Sequence, residues 1–203
     1  MFSFRFVVVA LGLLLAGAAL AQDAPPVAIR ATIEAISSDG ATLDVRTRAG
    51  ERLSVRLKEP RAIIAVVAAK LADVKPGLFV GVAALPDAAG VQHALELHIF
   101  PEAMRGTGEG FRPFDLAPGS TMTNGAITAM VDSVTGPSLK VAYKGGEQTI
   151  VVDPATPIVA FAPGDPSELK VGAAIIVRGV KAADGVYEAP RILVGRDGLV
   201  PPL

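Results

Sequence analysis

Apolar and polar residues alternate with a period of two along much of this chain. Leu43, Val45 and Thr47 alternate with Asp44, Arg46 and Arg48, and Leu53, Val55 and Leu57 alternate with Arg52, Ser54 and Arg56. That period marks half-buried strands. Keeping apolar residues opposite one another pairs 47 with 53 and 45 with 55, which leaves the three-residue loop Ala49-Gly50-Glu51 and asks Gly50 for a positive φ. A second hairpin joins residues 78–85 to 91–100 through Pro86-Asp87-Ala88-Ala89-Gly90. Between the hairpins, Ile63, Val66, Val67, Leu71 and Val74 follow helical spacing. Later in the chain, Asp165-Pro166-Ser167-Glu168 supplies an N-cap, a proline at the first helical position and an acid to close a capping box.

Sliding the chain on itself by 95 or 96 positions aligns its halves. Leu43, Val45, Gly50, Glu51 and Val55 fall on Leu139, Val141, Gly146, Glu147 and Val151. Lys75, Gly77, Val82, Ala88, Gly90, Val91 and Ala94 fall on Lys170, Gly172, Val177, Ala183, Gly185, Val186 and Ala189. Ordered matches at this period argue for two copies of one unit rather than a solenoid. Three strands, a helical connection and two more strands in each copy predict a mainly all-β chain of two tandem five-stranded OB-like Greek-key barrels. A generic five-stranded sandwich is the alternative. The expected divisions are 22–100 and 125–203, with an ordered connector at 101–124.

The first residues fit neither unit. Arg5, the apolar run Phe6 to Leu15 and the small residues ending Ala19-Leu20-Ala21 read as a secretory signal peptide over 1–21, cleaved after Ala21. The run is shorter than the ~20 residues of a spanning helix, and no later segment is apolar enough to span. A periplasmic address is the resulting expectation. Composition narrows the chemistry further: with no Cys and only two His among 203 residues, thiol nucleophiles, Cys-ligated metals and three-His sites are excluded. The formal charge of −1 and 5% aromatic content disfavour nucleic acid.

Three groups remain as candidate sites. The connector carries Arg105, Glu109, Phe111, Arg112, Phe114 and Asp115, and is read either as a staple between barrels or as a ligand or partner site. Glu96 and His98 share one strand face and offer a carboxylate and an imidazole to a metal such as Zn²⁺ or Cu²⁺, against the alternative of a solvated polar face. Arg46, Arg48, Arg52 and Arg56, extended by Lys58, fall on the outward face of the first hairpin. They could hold an anionic envelope component, or protect an edge by charge. Catalytic motifs do poorly. Gly106-Thr107-Gly108-Glu109-Gly110 lacks the last glycine and the βαβ setting of a phosphate loop. Ser167-Glu168-Leu169-Lys170 lacks the partner motifs of the penicillin-recognising enzymes. No cofactor is expected.

The phrase LHIFPEAMRGTGEGFRPFDLAPGSTMTN, with the signal peptide and the two halves, resembles a family of exported proteobacterial proteins built from a small β-barrel domain of unknown function. Relatives often carry His and Trp where this chain has Phe111 and Phe114. Some are labelled metal transporter permeases, a role at odds with a chain offering only a signal peptide. The resemblance implies a periplasmic protein and transfers no catalytic residue. The expectation is a non-catalytic binding or adaptor protein whose partner is a periplasmic protein or an anionic envelope component. The alternatives are an envelope protein acting through its basic face and a metal-transport accessory protein.

Overall fold

A computed structural model of the chain describes residues 25–133 and 136–203; the expected signal segment lies outside the described residues. Among the described residues the fold is all-β, with twelve strands in one continuous sheet and four single-turn 3-10 helices. The strands are β1 (Val27–Ile36), β2 (Thr42–Thr47), β3 (Arg52–Ala68), β4 (Phe79–Pro86), β5 (Gln92–Ile99), β6 (Gly110–Pro113), β7 (Thr121–Ser133), β8 (Gly136–Tyr143), β9 (Gly146–Val151), β10 (Ile158–Pro163), β11 (Ala174–Lys181) and β12 (Tyr187–Gly195). No described helix is long and apolar enough to cross a membrane.

Pairing closes this sheet into two rings of five strands, and each ring mixes the two halves of the chain. In the first ring β1, β2 and β3 are completed by β12 and β11, and β11 returns to β1. In the second, β7, β8 and β9 are completed by β5 and β4, and β4 returns to β7. The expectation that residues 22–100 and 125–203 each close their own barrel is therefore corrected: the halves exchange their last two strands. The exchange is symmetric. Ile192 pairs with Ile63 as its repeat equivalent Leu97 pairs with Ile158. At the centre β3 and β10 run antiparallel with Val66 opposite Phe161, two equivalent positions of the repeat, so a local two-fold axis passes between them.

Two sequence expectations fail for local reasons. Residues 63–68 are strand and not helix. They belong to the β-branched run Ile63-Ile64-Ala65-Val66-Val67, which is hydrogen-bonded on one side to β10 and on the other to β12. Only Leu71–Asp73 turns, as a 3-10 helix. The Asp165 capping box forms as expected, with Ser167 N–H donating to the Asp165 carboxylate, but it starts a single turn, Pro166–Glu168. In the first hairpin the register is Val45 with Leu53 and Leu43 with Val55. Gly50 does take a positive φ, 89°, but Gly50 N–H bonds to Thr47 O and Thr47 N–H to Glu51 O, which shifts the pairing by two and leaves the faces unchanged. The second hairpin turns at Asp87–Gly90 as read from sequence.

The exchange decides whether a half can stand alone. Ile175, Val177, Ile192 and Val194, all from the second half, are at most 1% exposed in the core of the first ring, against Leu43, Val45 and Val55. At about 1.5–3 kcal/mol per buried aliphatic side chain, these four contribute on the order of 6–12 kcal/mol, comparable to the ~5–15 kcal/mol of a whole domain's stability. Neither half retains a core without the other. A protease site cut between the exposed residues Pro118 and Gly119 is expected to leave both pieces eluting together at the size of the intact chain. Two separately folded fragments would contradict the exchanged topology.

Candidate functional site

The outer faces of the rings meet across the central strands. On β4, Val80 and Val82 point into the second ring's core, so Phe79, Gly81 and Ala83 face the first ring. Cross-strand register then sets Glu96 and Met122 on either side of Ala83, and His98 and Asn124 on either side of Gly81. Facing them are Ile176 and Arg178 of β11 and Arg30 of β1, whose neighbours Ile29, Val177 and Ile175 fill the first core. Between the faces lies a cavity of about 520 Å³, floored by Phe100, Met122, Phe161, Ile176 and Leu203 and rimmed by the exposed Arg112, Arg178 and Arg191.

Glu96 and His98 do share a face, and that face is buried. Glu96 is 0% exposed and His98 4%, so the solvated-face alternative is overturned. β10 covers the pair: the His98 ring stacks on Phe161 at 4.7 Å and meets the edge of Phe100 at 4.8 Å. His98 Nδ1 lies 3.1 Å from Glu96 Oε1, and Nε2 lies toward Gly81. A Cβ at position 81 would fall 2.1 Å from Nε2, so only glycine admits the ring. Among the described residues no group of three or more His, Asp or Glu could hold a metal ion.

Beside His98, Asn124 is 4% exposed and lines the cavity. Its Nδ2 donates to Thr107 O at 2.9 Å, which fixes the amide's orientation, and its Oδ1 is buried with no hydrogen-bond donor. This residue carries no local motif in the sequence. Gly81, isolated in an apolar strand, is the one sequence signal that marks close approach here.

The connector divides its candidate residues between cavity and scaffold. Arg112 lines the cavity and donates to Gly108 O; partial burial, and then the charge of Arg178, lowers its guanidinium from the usual value. Phe114 lines it too, with the guanidinium groups of Arg30 and Arg178 each 6.0 Å from its ring centre. Asp115 bonds Arg30 at 3.0 Å and pairs with Arg178 at 3.6 Å, tying the connector to the first ring. Arg105 is turned away to Glu102 and Gly77 O, Glu109 accepts from Lys144 N–H, and Phe111 is 41% exposed. Staple and cavity wall are thus one segment.

The four arginines of the first hairpin are engaged. Arg46 and Arg52 share Glu34, Arg48 donates to Pro201 O, and Arg56 binds Asp184 and Glu188, which also holds Lys58. Asp184 and Glu188 arrive with the exchanged β11–β12 hairpin, so the sequence of the first hairpin alone shows a basic face where the fold gives each arginine a partner.

Removing His98 tests the buried pair. His98→Ala leaves the Glu96 carboxyl buried without a partner and is expected to cost roughly 3 kcal/mol. Adding Glu96→Gln should restore part of that loss in thermal unfolding, whereas a double variant less stable than His98→Ala would contradict the pairing. The Asp115 carboxyl sits below the ordinary carboxylate range: burial acts to raise it and is outweighed by the Arg30 hydrogen bond and the charges of Arg30 and Arg178. A depressed carboxyl stabilises fully above its unfolded pKa and loses that contribution as pH falls through the folded value. Urea midpoints of wild type and Asp115→Asn should therefore differ at neutral pH and converge in acid; a constant gap would show that the charge is immaterial.

A family model described as a domain of unknown function (DUF5666) matches residues 124–192, from Asn124 through most of β12. No curated protein and no solved structure matches the chain. The matched stretch supplies three strands to the second ring and two to the first, so the unit recognised in sequence is not the unit that closes in space.

Proposed function

We propose that this chain is a non-catalytic, exported binding protein, built from two OB-type barrels, that receives a small ligand in the cavity between them. Numbering each ring by its own strands, the order 1-2-3-5-4 with strands three and five parallel supports the OB-type assignment. The signal-like residues 1–21 support a periplasmic address.

The observation that carries the reading is the buried, unpartnered Asn124 Oδ1 in a cavity of about 520 Å³. That volume lies within the ~300–1,000 Å³ of small-molecule sites, which join apolar walls to a few placed polar groups. An unpaired buried acceptor costs about 1–3 kcal/mol, and a bound donor relieves it. Support for a non-catalytic role is compositional: the chain has no Cys and two His, and its Gly106–Gly110 and Ser167–Lys170 segments lack the partner motifs of the enzymes they resemble. An envelope protein acting through Arg46, Arg48, Arg52 and Arg56 is the second reading; the carboxylates and carbonyl already bound to those groups favour the cavity.

The test uses the neutral dye N-phenyl-1-naphthylamine with the full mature protein. Saturable enhancement at one dye per chain is expected, weakened at least about tenfold by Ala28→Trp, which fills the cavity wall. Phe114→Trp gives an independent readout, because the chain has no other tryptophan and the new indole should shift its emission as dye binds. No enhancement, or enhancement indifferent to a folded Ala28→Trp, would overturn the proposal.

A further inference from the structure

The charges around the cavity name the class of ligand. Arg30, Arg112, Arg178 and Arg191 line it, against one lining acid, Glu188, with Asp115 bound beside the cavity to two of the arginines. Glu188 is already shared by Arg56 and Lys58, and Asp115 by Arg30 and Arg178. Arg30 is further occupied, donating from Nε to Leu203 O at 2.7 Å. The Arg112 side chain touches no carboxylate, only Gly108 O, and the Arg191 side chain has no hydrogen bond or ion pair among the described residues. The rim thus holds cations in excess of its acids, above a floor of phenylalanine, methionine and aliphatic side chains.

The inner end asks for the opposite chemistry. Asn124 Oδ1 is an acceptor without a donor, set with the His98 ring at one strand position, Gly81. Asn124 and Arg112 sit on adjacent strands, both lining the cavity, through Gly110 opposite Asn124 and Arg112 opposite Met122. A hydroxyl or N–H close to an acid group can therefore meet Asn124 while the acid meets Arg112.

Resting on the cavity reading above, we propose that the ligand is an amphipathic monoanion with a hydrogen-bond donor near its acid group. Its apolar body lies on Phe100, Phe161 and Ile176, its carboxylate faces Arg112 and Arg191, and its hydroxyl donates to Asn124 Oδ1. A hydroxylated medium-chain carboxylate meets all three demands.

Displacement of N-phenyl-1-naphthylamine by decanoate, 3-hydroxydecanoate, decanol and decyltrimethylammonium, at fixed neutral pH and ionic strength, separates the parts. Decanoate should bind at least about tenfold tighter than decanol, as one charge-assisted hydrogen bond requires, and the cation should bind weakest. 3-Hydroxydecanoate should exceed decanoate severalfold. In Arg112→Gln/Arg191→Gln the affinity for decanoate should fall to that for decanol. Equal affinities for anion, alcohol and cation would overturn the anion assignment and leave the binding cavity standing, and so would a dye that binds but yields to none of the four. Equal affinity for the two acids would overturn the role given to Asn124. A chain that binds neither dye nor amphiphile overturns the cavity reading itself.

Discussion

The hydrogen-bonded ladder between β3 and β10 is the constraint on which the rest of the molecule depends. A strand of seventeen residues, Arg52–Ala68, begins in the first ring and ends beside β10, so the chain leaves the ring it has started and enters the other. The next two strands, β4 and β5, must then complete the second ring, and β11 and β12 must return to complete the first. Each barrel is held by covalent neighbours on three strands and by the far half of the chain on two. The two cores therefore form together or not at all, within the usual stability of a single domain.

The same ladder makes the cavity. Because β3 and β10 hold the rings side by side, the outward face of β4, β5 and β7 cannot reach solvent, and residues that would be surface on an isolated barrel become buried. That is why Glu96 and His98, polar residues in alternation with Leu97 and Ile99, are sealed behind Phe161. The connector closes one side through Phe114 and Asp115, and the excess of arginine is left at the mouth.

Local chemistry was legible in the sequence wherever it depended on neighbours in the chain. The alternating strands, the Gly50 and Gly90 turns, the Asp165 cap and the sharing of a face by Glu96 and His98 all follow from period and turn residues. The repeat was legible too. Which half completes which ring was not, because exchanged and unexchanged pairings bury the same residues against equivalent partners. That one ambiguity accounts for part of the misread basic face: Asp184 and Glu188 come with the exchanged β11–β12 hairpin, whereas Glu34 comes from β1. It accounts equally for Asn124, Arg178 and Arg191, which gather only when the rings are joined. The helix expected over Ile63 to Val74 failed for a different reason: its apolar spacing fits both periods, and the β-branched run with partners on both sides settled it as strand.

Amide–amide nuclear Overhauser contacts test the strand exchange directly. Exchanged rings give contacts joining the strand segments at Ile63 and Ile192, and those at Ile158 and Leu97. Contacts joining Ile63 with Leu97, and Ile158 with Ile192, would mean that each half closes its own barrel and would contradict it.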